Sequence, residues 1–339
     1  MEPQRTTIRD VARVANVSIS TVSRYVNQQG YVELDTARRI AEAIEETHYA
    51  PSMAARSLRT QKSAIILLVV PDICNPFYSG IAKTVQQLAR EKGYIIALYD
   101  SEESSQELAS VAIAQKMYAS GILLGSIDIK REVIHALLRT SIPVVGLNAY
   151  QQYPFDTVHV NGSEGSYLAT RHLILQGHRH IAFAGGTPNS MIGLSRREGY
   201  ERAMKESGIV PRLKDIVEIG FAQSDGYQAG SYFCKLESPP TAICCANDQV
   251  ALGLLSALHE NGVPVPRQIS VTGMDNIPYA STSNPSLTSV TNDSVAFARE
   301  GMRMLFDRVC GIYTGSPRDV AIRHELIVRE STGAPPQKG

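Results

Sequence analysis

The sequence predicts a small all-α head joined to a two-lobed α/β core with parallel sheets, and three observations carry that prediction. The first sixty residues show helical periodicity, hold no strand-like run and have no glycine before Gly30. From residue 63 onward, strand-like and helical segments alternate, the pattern of parallel sheets covered by helices on both faces. That stretch, about 275 residues, exceeds one comfortable α/β core and so divides into two lobes.

In the head, Ile8, Val11, Ala12 and Ala15 fall at i, i+3, i+4 and i+7 on one helix face. Thr7 is the predicted N-cap, with Asp10 as its capping-box partner. Asn16 stands where a tight turn asks for positive φ, which Asn tolerates better than most residues. Ser18 caps a second helix whose apolar positions are Val22, Tyr25 and Val26. After a Gln-Gln-Gly turn, Asp35 caps a third helix with Ala37, Ile40, Ala41 and Ile44 on its inner face. The short link between the first two helices has helix-turn-helix spacing; a generic three-helix bundle fits the same periodicity. Residues 51–62 form a linker in which Ser52 caps a helix of about two turns, too short to be stable alone. Arg56, Arg59 and Lys62 meet no acid there, whereas residues 1–50 carry one more acidic than basic residue.

Ala64–Val70 reads as a strand buried on both faces, followed by a helix over Ser79–Glu91. Tyr94–Tyr99, Gly121–Leu124, Pro143–Leu147, Ile181–Ala184, Ala242–Cys245 and Ile269–Met274 are the further predicted strands. Helices are predicted at Gln106–Met117, Arg131–Arg139, Glu164–Gln176, Arg196–Ser207, Tyr227–Leu236 and Gln249–Asn261.

Composition removes several function classes. Lys+Arg and Asp+Glu are each 33 in 339 residues, so the chain is no general polycation, although a local basic surface stays open. With 43% hydrophobic and 19% charged residues it is an ordinary globular protein. Its longest wholly apolar run, Ala64–Val70, is far short of the ~18 residues of a membrane helix. The polar start shows no secretory signal, so a cytoplasmic location without membrane partners is expected. Five cysteines without a Cys-x-x-Cys pair fit neither a disulfide framework nor a zinc knuckle; buried free thiols are expected. No Gly-x-Gly-x-x-Gly follows a strand and no Gly-x-Ser-x-Gly is present, so neither a dinucleotide cofactor nor an elbow serine is supported. His178 and His180, two apart at a turn, suit a turn or core role better than a metal. No cofactor, metal or catalytic residue is assigned.

The spacing Asp10-Val11-Ala12, Ala15-Asn16-Val17-Ser18 and Thr21-Val22-Ser23-Arg24-x-x-Asn27 resembles that of the lactose-repressor/galactose-repressor family of bacterial transcription regulators. The likeness continues through Tyr49-Ala50-Pro51, Ala55-Arg56-Ser57-Leu58, Asn75-Pro76-Phe77-Tyr78, Gly177-His178, Ala246-Asn247-Asp248 and Gly273-Met274-Asp275-Asn276, to about Glu330. Asn16 departs from the family's usual glycine, and its tolerance of positive φ makes the change harmless. The resemblance implies domains at 1–50 (helix-turn-helix), 51–62 (hinge helix) and 63–339 (effector binding and dimerisation), the last of type I periplasmic-binding-protein-like fold.

For the head, the resemblance implies contact with double-stranded operator DNA through Thr7, Ser18, Ile19, Ser20, Thr21, Ser23, Arg24 and Asn27. Ile19 and Ser20 occupy the first exposed positions of the recognition helix, where a thymine methyl and a base edge are within reach. Thr21, Ser23, Arg24 and Asn27 suit phosphates, and Arg24 can also reach a guanine. In the family, paired hinge helices wedge a leucine into the central base step, which assigns that role to Leu58, with Ala54 and Ala55 allowing close approach; packing of Leu58 on the core is the alternative.

For the core, position-by-position transfer implies an interlobe ligand site of Phe77, Tyr78, Asn148, Ser190, Arg196, Phe221, Asn247 and Asp275. Aromatic faces suit the C–H face of a sugar ring, Asp275, Asn148 and Asn247 suit its hydroxyls, and Arg196 can clamp two oxygens. The loop 185–190 offers no second arginine or bulky partner, which favours a carbohydrate or sugar phosphate over a purine. The expected function is a ligand-responsive regulator, a repressor, acting as a homodimer on a pseudo-palindromic operator. Control by a phosphocarrier-type protein partner, a sugar-binding receptor and a sugar-modifying enzyme are the rivals; the intact head argues against the second, and no poised acid/base pair supports the third.

Overall fold

The computed structural model describes residues 6–26, 30–49, 63–102, 106–126, 129–147, 153–188 and 190–337. Asn27, the hinge segment with Ala55 and Leu58, and Asn148 lie outside the described residues. The chain divides into two compact units, Met1–Ser63 and Ala64–Gly339.

In the first unit, α1 (Ile8–Val14), α2 (Ile19–Val26) and α3 (Leu34–Thr47) enclose Val11, Ala12, Ala15, Val22, Ile40 and Ala43. The Asp10 carboxylate accepts from the Thr7 amide at 2.9 Å and the Thr7 hydroxyl at 2.7 Å, fixing the start of α1. At its end Asn16 has φ +50°, and the Val17 amide closes back on the Ala12 carbonyl at 3.0 Å. This is a Schellman stop with Asn in the left-handed position. Ser18 Oγ then accepts from the Thr21 amide at 3.1 Å and starts α2. The predicted cap of α3 is corrected: Asp35 lies inside the first turn, its carboxylate 3.3 Å from Arg38, and Glu33 precedes the helix without a side-chain cap.

The second unit contains two six-stranded sheets. One has strand order β11-β5-β4-β3-β1-β2, from β1 (Ile65–Val70), β2 (Ile95–Asp100), β3 (Gly121–Gly125), β4 (Val144–Leu147), β5 (Asp156–Val160) and β11 (Asp319–Ile322). The other runs β12-β10-β9-β8-β6-β7, from β6 (Ile181–Ala184), β7 (Ile216–Val217), β8 (Ala242–Cys245), β9 (Ser270–Asp275), β10 (Thr288–Thr291) and β12 (Leu326–Ile327). Every pairing is parallel except β10 with β12. Central strands such as β1 and β8 are buried apolar runs, as sheets covered on both faces require.

The flanking helices are α4 (Pro76–Glu91), α5 (Glu107–Lys116), α6 (Arg131–Leu138), α7 (Gly162–Leu175), α8 (Met191–Glu206), α9 (Gln223–Cys234), α10 (Asp248–Glu260), α11 (Pro278–Thr282) and α12 (Ser294–Val309). Three of them start three or more residues earlier than the sequence suggests: α4, α8 and α9, the last at Gln223 rather than Tyr227. Asn75 accepts from the Phe77 amide at 3.0 Å and begins α4 at Pro76, and Ser190 accepts from the Gly193 amide at 3.0 Å and begins α8 at Met191. β5, β7 and β10–β12, α11 and α12 have no counterpart in the sequence-based assignment.

The chain passes between the two sheets three times: β5 to α7, β10 to α12, and β11 to β12. The last return strand is fastened by charge. Asp156 of β5, 1% exposed, accepts from Arg308 of α12 at 2.7 and 3.0 Å and from Arg318 before β11 at 2.7 Å. Tyr313 lies under both guanidiniums, at 4.5 and 4.3 Å. Burial alone would raise the Asp156 carboxyl, but its bonds from both arginines outweigh that and hold it below its ordinary value.

The cysteine expectation is corrected in part. All five are free, but only Cys244 and Cys245 are buried; Cys74 and Cys310 are exposed. His178 is a core residue, its ring bonded to Thr241 Oγ1 at 2.9 Å and the Gly333 carbonyl at 2.9 Å, while His180 pairs with Asp215 at 2.8 Å. Among the described residues no helix is long and apolar enough to cross a membrane.

Candidate functional site

Two surfaces bring the sequence-predicted residues together. On the head, Ser18, Ile19, Ser20 and Arg24 are exposed at the start and along the outer face of α2, while Thr21 and Ser23 are half-buried. Ile19 is 46% exposed, an apolar side chain held out at the first turn by a helix that buries only Val22. The hydroxyls there bond locally: Ser18 Oγ, besides accepting the Thr21 amide, is 2.7 Å from Ser20 Oγ and 2.8 Å from Thr21 Oγ1. Such bonds exchange readily for base edges or phosphates. Thr7 is also exposed, with its hydroxyl donated to Asp10.

In the second unit, Phe77, Tyr78, Arg196, Phe221, Asn247 and Asp275 line one cavity of about 40 Å³, together with Asn75 and Ile192. α4 supplies the aromatic side. Phe77 and Tyr78 are buried and pack edge to face at 5.1 Å, with Phe77 also against Phe297 at 5.6 Å. They belong first to the lobe's core and present only part of their rings. α8 supplies Arg196, which is 4% exposed. Its Nη1 donates to the Ala246 carbonyl at 2.7 Å, its Nη2 lies 3.6 Å from Asp275 Oδ1, and its guanidinium covers the Phe221 ring at 5.7 Å. Asp275, at the end of β9, also accepts from Asn292 Nδ2 at 2.7 Å. Burial pushes its carboxyl up from the usual range, opposed by Arg196, Asn292 and His324.

Two transferred residues have work elsewhere. Asn247 caps α10, accepting from the Val250 amide at 2.8 Å and donating to the Phe221 carbonyl at 3.0 Å. Ser190 does not line the cavity: besides capping α8, its hydroxyl donates to the Thr187 carbonyl at 3.0 Å.

A frame missed by sequence reasoning holds the loop after Asp275. Asp275 and Asn276 have φ +107° and +49°, a backbone costly for residues with a Cβ unless the surroundings enforce it. Two of the enforcing groups, Asp248 and Ser289, are buried, and Arg329 is half-buried. Asp248 accepts from the Ile277 amide at 2.8 Å and from Ser289 Oγ at 2.6 Å. Ser289 Oγ in turn accepts from the Asn276 amide at 3.0 Å, and Arg329 donates to Asn276 Oδ1 at 2.7 Å. Burial and the nearby Asp275 charge push Asp248 well above the ordinary carboxylate range. The only signal for this frame was Asp248's place in the Ala246-Asn247-Asp248 motif; nothing local marks Ser289 or Arg329.

The cavity's size decides what the arrangement can do. At about 40 Å³ it holds little more than one water, whose share of liquid is about 30 Å³, against roughly 300 Å³ or more for an ordinary ligand pocket. Between α4 and the Arg196–Asp275 side there is thus no room for a sugar-sized molecule in this conformation. On the crossover side, Phe77 and Asp275 also face an open hollow of about 650 Å³ with Asn292 and His324.

A helix-turn-helix head and a two-lobed α/β core in one chain fit a DNA-binding regulator of transcription. A family model described as "Bacterial regulatory proteins, lacI family" matches residues 7–52, and one described as "Periplasmic binding protein-like domain" matches residues 170–332. Two relatives named HTH-type transcriptional repressor PurR come from Actinobacillus pleuropneumoniae serotype 3 (strain JL03) and Haemophilus influenzae (strain PittEE). Both are 30% identical, over 328 and 331 residues, covering 96% of this chain and 98% of theirs. A crystal structure of the lac repressor dimer bound to operator and the anti-inducer ONPF is similar at TM-score 0.86 and 25% identity, covering 98% of this chain and 100% of that one. A transcriptional regulator CelR–cellobiose complex is similar at TM-score 0.73 and 26% identity, covering 96% and 100%. The chain belongs to the lacI family of bacterial regulatory proteins. It is a transcription regulator rather than an enzyme, and its second unit has the type I periplasmic-binding-protein-like fold.

Proposed function

We propose that this chain represses transcription as a cytoplasmic homodimer on a pseudo-palindromic operator, and that a carbohydrate or sugar phosphate in the interlobe cavity controls it. In this reading residues 1–50 read DNA, 51–62 form the hinge helix with Leu58 as its wedge, and 63–339 sense and dimerise. One observation carries it: a buried arginine–aspartate pair beside aromatic rings, lining a small cavity between the lobes. A ligand that binds only the opened form shifts the equilibrium between two lobe angles, and the head reads the change as a different spacing of half-sites. Support comes from the relatives: one solved neighbour is a dimer on operator DNA and another holds cellobiose. Nothing in the described surfaces or the relatives favours a phosphocarrier-type protein partner.

The test is a thermal-shift screen of sugars and sugar phosphates on the full chain, followed by operator selection from a random duplex pool with and without each hit. A true effector at about a hundred times its Kd adds about 2.7 kcal/mol of stability and changes affinity for the selected palindrome. A chain that prefers no palindrome over bulk competitor DNA contradicts the regulator's mode of action. Arg196→Ala is expected to keep operator affinity and lose the response; loss of operator binding without ligand contradicts the cavity assignment. Leu58→Ala is expected to weaken specific binding far more than non-specific binding, and equal losses at one salt concentration refute the wedge.

A further inference from the structure

We propose that His324 is a protonation-dependent clamp that ties together the three crossovers between the lobes and so positions Asp275 for the interlobe site. His324 lies in the third crossover, between β11 and β12. Its Nδ1 is 3.0 Å from the carbonyl of Thr291, the residue that leads into the second crossover. Its Nε2 is 2.7 Å from the carbonyl of Asn161, in the first. One ring therefore touches all three passages of the chain.

The chemistry of the partners fixes the charge of the clamp. Carbonyl oxygens only accept, and a neutral imidazole carries one N–H. Only the doubly protonated ring serves both carbonyls; on losing a proton it keeps one bond and sets a bare nitrogen against an oxygen lone pair. The contact then lost is one of those that hold the crossovers in register. The surrounding charged groups are Asp275 from β9, Arg196 of α8 paired with it, Asp293 at the start of α12, Glu164 of α7 paired with Arg202 at 2.8 Å, and the neighbours Arg323 and Glu325. The His324 charge also favours the ionised form of Asp275, which links the clamp to the cavity.

Bonds that only the doubly protonated ring can make are present at low pH and weaken as pH rises. The inference rests on the lobes parting at these crossovers, but its test needs no effector, so its failure and that of the effector reading are distinguishable. Hydrogen exchange of the full chain, corrected for intrinsic rates, is measured over the crossover peptides across roughly pH 5 to 8, where an imidazole changes charge. Wild-type protection is expected to fall about tenfold with rising pH, the cost of about one hydrogen bond. His324→Gln is expected to show lower protection that no longer varies with pH, and His324→Arg to restore protection throughout. In 15N-histidine spectra both ring nitrogens of His324 are expected to carry protons at the acid end. A pH-independent wild-type profile, or one bare ring nitrogen at the acid end, overturns the proposal even if the variants fail to fold.

Discussion

The polar groups of the reading face and those of the interlobe site are bonded in opposite ways. On the head, Ser18, Ser20 and Thr21 bond neighbours two and three residues away, with Ser18 and Ser20 exposed and Thr21 half-buried. In the core, Arg196 reaches 50 residues to Ala246, Ser289 reaches 41 to Asp248, and Arg308 reaches 152 to Asp156, all out of water or nearly so. The head can exchange its bonds for those of DNA without moving its helices. The bonds of the core each tie distant parts of one lobe together, so a change in the polar contacts around Arg196 or Asp248 disturbs the lobe that carries them.

The severest way to break that comparison is to remove a long-range anchor. Asp156→Ala leaves Arg308 and Arg318 partly buried without their shared acceptor, and about 3–5 kcal/mol of core stability is expected to go. Chemical denaturation followed by circular dichroism checks this. A change within 0.5 kcal/mol would mean that the charge cluster is ornamental and the sheet pairing alone holds β11.

Two buried aspartates sharpen the contrast through the sign of their pH dependence. Asp156 titrates below its unfolded value, so its stabilisation is present above about pH 4 and is lost as pH falls. Asp248 titrates well above its unfolded value, so its effect is reversed: it favours the fold below about pH 4 and disfavours it as pH rises. Asp156→Asn is therefore expected to flatten the acid loss of stability, and Asp248→Asn to steepen the gain between roughly pH 4 and 7. Unfolding free energies of both variants at several pH values decide it; slopes that change in the same direction refute the assignment of opposite roles.

The contrast also explains what could be read without coordinates. Most of the described head was legible because caps, turn and apolar spacing are local; the misses lie in α3, where Asp35 is the second helical residue rather than the cap and Ala43, not Ala37 or Ala41, is buried with Ile40. Six of the eight transferred ligand residues converge: Phe77 and Tyr78 open α4, Asn247 and Asp275 stand at strand ends, Phe221 lies just before α9, and Arg196 reaches in from the second turn of α8. The frame under Asp275 was not legible: Ser289 and Arg329 reach it only through sheet order and the second and third crossovers. The start of α8 was hidden for a different reason, since Met191 and Leu194 are 40% and 45% exposed and break the amphipathic spacing. No element was assigned past Met274, although α12 turns Phe297, Ala298, Gly301, Met302 and Leu305 inward at helical intervals.

A smaller effect tests the frame. Ser289→Ala removes the acceptor of the Asn276 amide and a donor to Asp248, which is expected to cost about 1–3 kcal/mol. Because the strained loop carries Asp275, the thermal shift given by any confirmed effector is also expected to shrink. Lost stability with an unchanged shift would assign Ser289 to the fold alone.

The smallest expected effect lies at the turn of the head. Asn16 holds φ +50°, a conformation that costs a residue with a Cβ about 1 kcal/mol and costs glycine little. Asn16→Gly should therefore leave the head within about 0.5 kcal/mol of its present stability, because the relief of strain is offset by the greater freedom of glycine in the unfolded chain. Asn16→Ala, with a Cβ and no side-chain carbonyl to bond locally, should lose about 1 kcal/mol. Thermal unfolding of the three proteins, followed at the head's helical signal, separates these outcomes. Equal stability of the alanine and asparagine forms would show that the left-handed turn is held by the packing of α1 on α2 and α3, and that even this most local feature of the molecule depends on its tertiary neighbours.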